Sequence, residues 1–162
     1  MTRYDVDAAQ SEVRVAATSS LHAITGRAEG LRGWADLDGT TVRGARIELD
    51  AEQLRWGNPL LDRETRRRID TARHPTIVGT MTAMESNDDG SARLRGTIAF
   101  HGVERAVSGV VAVTMATADA LMIEGEHTFD VRDWGLEPPR LLMLKVDPQI
   151  VVSIRVLVSR VR

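Results

Sequence analysis

At 162 residues with 43% hydrophobic side chains, the chain has the size of one domain, residues 1–162, and can bury a core without metals or crosslinks. Its 21 basic and 23 acidic side chains nearly cancel, which argues against a nucleic-acid partner, because phosphates favour a clear basic excess. There is no cysteine, so thiolate catalysis, disulfides and cysteine-ligated zinc or iron–sulfur sites are excluded. The opening "MTRYDVDAAQ" lacks the apolar run of a secretory signal, and no stretch has the length of a membrane-spanning helix. The expectation is a cytoplasmic protein that does not insert into membranes.

Along the chain, Val13, Val15 and Ala17 alternate with charged or small residues, as do Leu31, Ala35 and Leu37 and then Ala45, Ile47 and Leu49. Period two predicts strands with one buried and one wet face. "LDGTT" at 37–41 reads as a turn between two of them. Trp34 falls on the polar side of its strand and, with Trp56, is a candidate interface residue. "NPLLDRETRRRIDTARHPTI", residues 58–77, breaks the pattern. Asn58 can cap a helix and Pro59 suits its first position, while Leu61, Thr65, Ile69 and Ala72 recur along one face. Pro75 is expected to end it, since the residue before proline is pushed out of helical conformation.

Strand signals then resume. Ala92, Leu94, Gly96, Ile98 and Phe100 share one face, as do Val107, Gly109, Val111, Val113 and Met115, and Leu121, Ile123, Gly125, His127, Phe129 and Val131. "NDDGS" at 87–91 has hairpin-turn composition. The final run, "QIVVSIRVLVSRVR", places Ile150, Val152, Ile154, Val156 and Val158 together and is the longest strand candidate. About eight to ten such strands point to an antiparallel sandwich or barrel rather than to parallel βαβ units.

Few residues suggest chemistry. The helix charges are spaced for mutual pairing, Asp62 with Arg66, Glu64 with Arg68 and Arg66 with Asp70. The functional alternative has Arg63, Arg67, Arg73 and His74 framing a cavity mouth for an anionic head group. The four histidines, His22, His74, His101 and His127, lack ligand spacing, so no metal site is expected. Ser19 and Ser20 stand beside His22, but adjacency does not make a catalytic triad. Without a phosphate loop or serine elbow, the chain does not read as an enzyme. His127 differs from the other histidines because its parity places an imidazole among apolar side chains, where it needs a hydrogen-bond partner.

Four ordered segments together resemble the YceI-like, polyisoprenoid-binding family. They are "YDVDAAQSEVRV", "LRWGNPLLDRETRRRIDTARHPTIVGTM", "LRGTIAFHGVERAVSG" and "FDVRDWGLEPP" followed by the valine-rich terminal strand. One departure stands out. The family's Lys-His-Leu after the second strand is replaced by "ATSSLHAITG", with His22 as its only histidine. The resemblance implies an all-β fold, an extended antiparallel lipocalin-like β-barrel with one main α-helix at its mouth, holding a long isoprenoid chain.

On that basis the expected activity is binding, transport or sequestration of an isoprenoid or similar amphiphilic lipid. The occupant would be a polyisoprenoid, a quinone or a fatty-acid-like chain, with no catalytic cofactor. A small enzyme acting on a hydrophobic substrate and a ligand-free interaction module are the alternatives. Strand parity nominates Ile77, Met81, Ile98, Phe100, Val111, Ile123, Phe129 and Val152 as lining residues, joined by Leu61, Ile69 and Leu144. His127 and Arg132 are the polar groups expected to orient a ligand. A homodimer is expected, from the resemblance and because Trp34 would otherwise be a large exposed apolar group.

Overall fold

The computed structural model describes all of residues 1–162. Its strands are β1 (Thr2–Val6), β2 (Glu12–Ser19), β3 (Ala23–Ala28), β4 (Arg32–Asp38), β5 (Thr41–Asp50), β6 (Thr76–Ser86), β7 (Ser91–Phe100), β8 (Val103–Thr117), β9 (Ala120–Asp130), β10 (Arg140–Leu141) and β11 (Leu144–Arg160), with one helix, α1 (Pro59–Ile69). All pairings are antiparallel. The order β1-β4-β5-β6-β7-β8-β9-β11 closes on itself through a β1–β11 pairing, which makes an eight-stranded barrel.

The pair β2–β3 also lies on β11, beyond β1 on the same edge. One long strand thus holds two shorter ones in succession, because a 3-10 turn at Ala8–Gln10 interrupts the chain between β1 and β2. Buried Ser11 secures the break. Its hydroxyl donates to the Asp7 carbonyl at 2.7 Å and accepts from the Leu157 N–H at 3.0 Å, so neither backbone group is stranded without a partner.

The inward parities expected from the sequence hold across the barrel, with register partners such as Ile154↔Gly125, Val113↔Ile123 and Met81↔Gly96. The largest core cluster includes Leu31, Leu37, Val42, Leu121, Val156 and Val158, at the end of the barrel away from α1. A smaller one at the other end joins Ala51, Ile69, Val131 and Leu136. A third seats α1 against β2 and β11 through Ala17, Leu61 and Val146.

Helix α1 begins as expected: the Asn58 side chain accepts from the Leu60 and Leu61 N–H groups, and Pro59 follows. It ends earlier than expected. Asp70 turns left-handed (φ 58°), its N–H bonding the Arg66 and Arg67 carbonyls, so the helix stops five residues before Pro75 and Ala72 lies outside it, exposed. Two expected charge pairs are also replaced. Asp62 is buried and accepts from the Trp56 N–H at 2.6 Å instead of meeting Arg66, and Asp70 pairs with Arg73. The Trp56 indole donates to the Thr65 hydroxyl at 3.1 Å, so Trp56, half-buried, straps the helix to the barrel.

A candidate apolar ligand cavity

The barrel encloses a cavity of about 250 Å³. Its wall is built by inward-facing residues from all eight barrel strands, among them Ala45, Ile47, Met84, Leu94, Val107, Val113 and Ile154. Of the residues nominated from the sequence, Met81, Ile98, Val111, Ile123, His127, Phe129 and Val152 line it. Most of these stay half-exposed although they point inward, because the barrel does not fill its own centre. Four glycines of inward parity, Gly79, Gly96, Gly109 and Gly125, line it. A Cβ on Gly109 would sit 3.6 Å from the His127 ring, in ordinary contact, whereas one on Gly96 would overlap the Thr80 carbonyl oxygen. The first glycine leaves open space and the second permits close strand approach.

The other nominated residues lie elsewhere. Ile69, with Ile77 and Phe100 packed alongside, helps seal the α1 end together with Val131 and Leu136. Leu61 and Leu144 pack under the helix. All five have the expected apolar surroundings, but other side chains supply them, so they seal the α1 end or seat the helix and do not line the cavity. Arg132 is turned outward and pairs with Asp130 at 2.7 Å. The strand parity that placed it near the site is lost where β9 gives way to a 3-10 turn at Val131–Trp134.

That turn supplies a residue the period-two reading missed. Trp134 is buried, its ring edge-on to Phe129 with centroids 5.8 Å apart and its indole donating to the Ile98 carbonyl at 3.0 Å. It backs the lining residues Phe129 and Ile98 from outside the cavity. No alternation marks it, since it sits on a turn. By contrast, Leu94, Val107 and Ile154 carry the same parity signal as the nominated residues and could have been read from it, whereas Met84 faces inward only because a bulge between Met81 and Ala83 shifts the alternation.

Electrostatically the cavity is quiet. His127 is its one titratable side chain of inward parity; it packs edge-on against Phe129 at 4.7 Å and has no hydrogen-bonding partner in the protein. The arginines of α1 do not border it. Glu64 gathers Arg67 at 2.7 Å and Arg68 at 3.0 Å, and these two donors hold its carboxyl down to about 2. His74 lies edge-on to His101, 5.3 Å away. Ser20 donates to the Met143 carbonyl and Ser19 to that of His22, so neither hydroxyl faces an imidazole base.

Trp34 is half-buried, of outward parity yet bordering the cavity, with the Arg3 guanidinium 4.1 Å above its ring. This cation–π contact covers the indole within the chain, which removes the exposure argument for a partner subunit.

The fold has solved counterparts. Burkholderia cenocepacia BcnA superposes with a TM-score of 0.83 at 12% identity, covering 94% of this chain and 98% of that one. A polyisoprenoid binding domain from Saccharophagus degradans, implicated in plant cell wall breakdown, gives 0.82 at 16% identity, with 99% and 100% coverage. The Campylobacter jejuni YceI protein gives 0.73 at 12% identity, with 86% and 85% covered. No curated protein sequence matches the chain. The model of the YceI-like domain matches residues 4–158, and the chain therefore belongs to the YceI-like family.

Proposed function

We propose that this protein binds an isoprenoid or similar long-chain lipid in its barrel and carries or sequesters it, without chemically changing it. The observation that supports this reading is the cavity itself: a set of inward apolar side chains left half-exposed around space they do not fill. Each methylene buried there contributes about 0.8 kcal/mol, enough for affinity from a chain of modest length. Family membership and the fold shared with a polyisoprenoid binding domain point the same way.

The lining also bears on the ligand's polar end. A diphosphate needs converging cations, and the inward lining offers a single imidazole. A neutral head with a hydrogen-bonding oxygen, such as a quinone, suits His127 better. At about 250 Å³ the cavity lies just under the roughly 300–1,000 Å³ typical of sites for drug-sized molecules. It accommodates a short prenyl chain whole, and a longer one with part of its length outside.

Extraction of protein purified from its native host, followed by mass spectrometry, tests the proposal. A co-purifying prenyl lipid is expected. Protein that arrives lipid-free and also fails to take up prenyl quinones would overturn it. Uptake should be lost in a folded Val111→Trp variant, in which the indole occupies the cavity; overpacking of this kind costs about 1–3 kcal/mol, so folding is checked in parallel.

A further inference from the structure

Resting on that reading, we propose that the cavity is filled and emptied sideways, through a slit between β8 and β9, and not through either end of the barrel. Both ends are packed shut. Ile69 and Ala51 are 1% exposed at the α1 end, where Trp134 is also buried, and Leu37 (1%) and Val158 (2%) close the other. A chain-shaped ligand threading either end would have to break a core cluster.

Neighbouring strands part in two places, and at one of them the wall is open. Pairing between β8 and β9 runs from Thr117↔Ala120 to Val111↔Gly125 and stops there. Nearer α1, β8 continues to pair with β7 as far as Phe100↔Val103, and β9 continues to pair with β11 as far as Gln149↔Asp130. Val103–Val110 and Glu126–Asp130 therefore follow their outer neighbours and part from each other. Residues of both parities from these edges border the cavity, Ser108 and Val110 as well as Gly109, and Glu126 as well as His127. Val110 is 45% exposed, and His127 is exposed despite its inward parity. The base of the slit is tied by Arg105, whose Nε donates to the Asp133 carbonyl at 2.7 Å. The slit is thus bounded above by a strand pair and below by a hydrogen bond.

A second divergence, where β5–β6 pairing stops at Ala45↔Met81, is covered from outside. The Trp34 ring lies over Gly44, 3.7 Å from where its Cβ would stand, and is held by Arg3. This leaves β8–β9 as the mouth, lined by the glycine and imidazole that border the cavity.

The chain has no cysteine, so introduced thiols are unique. In Val110→Cys/Glu126→Cys, a short bis-maleimide bridges the rims just beyond the last strand pair. Uptake of a quinone bearing three isoprene units is followed by quenching of tryptophan fluorescence. The bridged protein should load at least ten-fold more slowly than the unbridged double variant; equal rates overturn the slit. As a variant that needs no bridge, Ser108→Cys is coupled to a bulky maleimide and compared with Thr40→Cys, in the β4–β5 turn at the closed end, carrying the same label. Slowing only at Ser108 supports the proposal, and slowing only at Thr40 overturns it. Wild-type protein that takes up no quinone overturns the carrier reading itself, an outcome distinct from uptake at a rate indifferent to the bridge.

Discussion

Ser11 and Gly96 illustrate how much single side chains decide here. Ser11 satisfies the backbone at the one point where the β1–β2 edge breaks against β11. Ser11→Ala leaves the buried Leu157 N–H without that acceptor, and a loss of about 1–3 kcal/mol is expected in urea unfolding. Nothing in the sequence marks Ser11, because its importance lies in a partner 146 positions away. Gly96 was legible as inward-facing but not as indispensable. Gly96→Ala would press a methyl group onto the Thr80 carbonyl, so its melting temperature should fall clearly below that of Gly109→Ala, whose methyl meets only the His127 ring. Equal melting temperatures in calorimetry would contradict the close β6–β7 approach at that glycine.

Helix α1 shows which parts of an element a sequence can specify. Its start was readable because Asn58 and Pro59 act locally, through the side-chain cap and a fixed φ. Asn58→Ala should cost about 0.5–2 kcal/mol, measurable by chemical denaturation. Its end was not readable. A left-handed Asp70 is no default, and proline at 75 offered an apparent stop that the chain does not reach as helix. Glu64 gives the element a pH signature. Its carboxyl, held at about 2 by Arg67 and Arg68, stands below the ordinary 4.5 that the unfolded chain would show. The contribution is therefore full above pH 4.5 and is lost as pH falls towards 2. Solvent at Arg67 screens the pair and keeps the effect small. Thermal unfolding of wild type and Glu64→Gln should accordingly differ most near neutral pH and converge by about pH 2; a gap that widens on acidification would refute the pairing. In the strands the same division holds. Period two revealed which side chains face inward, whereas pairing partners, the bulge between Met81 and Ala83, and the parting of β8 from β9 depend on contacts between distant segments.

For the molecule as a whole, an unfilled centre sets stability against binding. A barrel of this size can be packed with its own side chains, yet this one stays hollow inside a ring of half-exposed aliphatics and inward glycines. That hollowness was only partly legible: parity identified the seven nominated residues that do line it, but could not show where the lining ends and the sealing clusters begin, since Ile77 and Phe100 share the parity of Gly79 and Ile98. Gly109→Leu tests the balance. Its Cβ would meet only the His127 ring, in ordinary contact, and a leucine at this lining position adds apolar bulk to an underfilled cavity, so the ligand-free variant should melt at or above the wild-type temperature. Ligand linkage should move the other way. A ligand at 100 times its Kd stabilises a binding-competent fold by about 2.7 kcal/mol, so wild type should gain several degrees with a prenyl quinone while Gly109→Leu gains almost none. A variant that melts higher and still shows the full ligand shift would mean that the quinone binds outside the barrel, leaving the cavity without the role its glycines maintain.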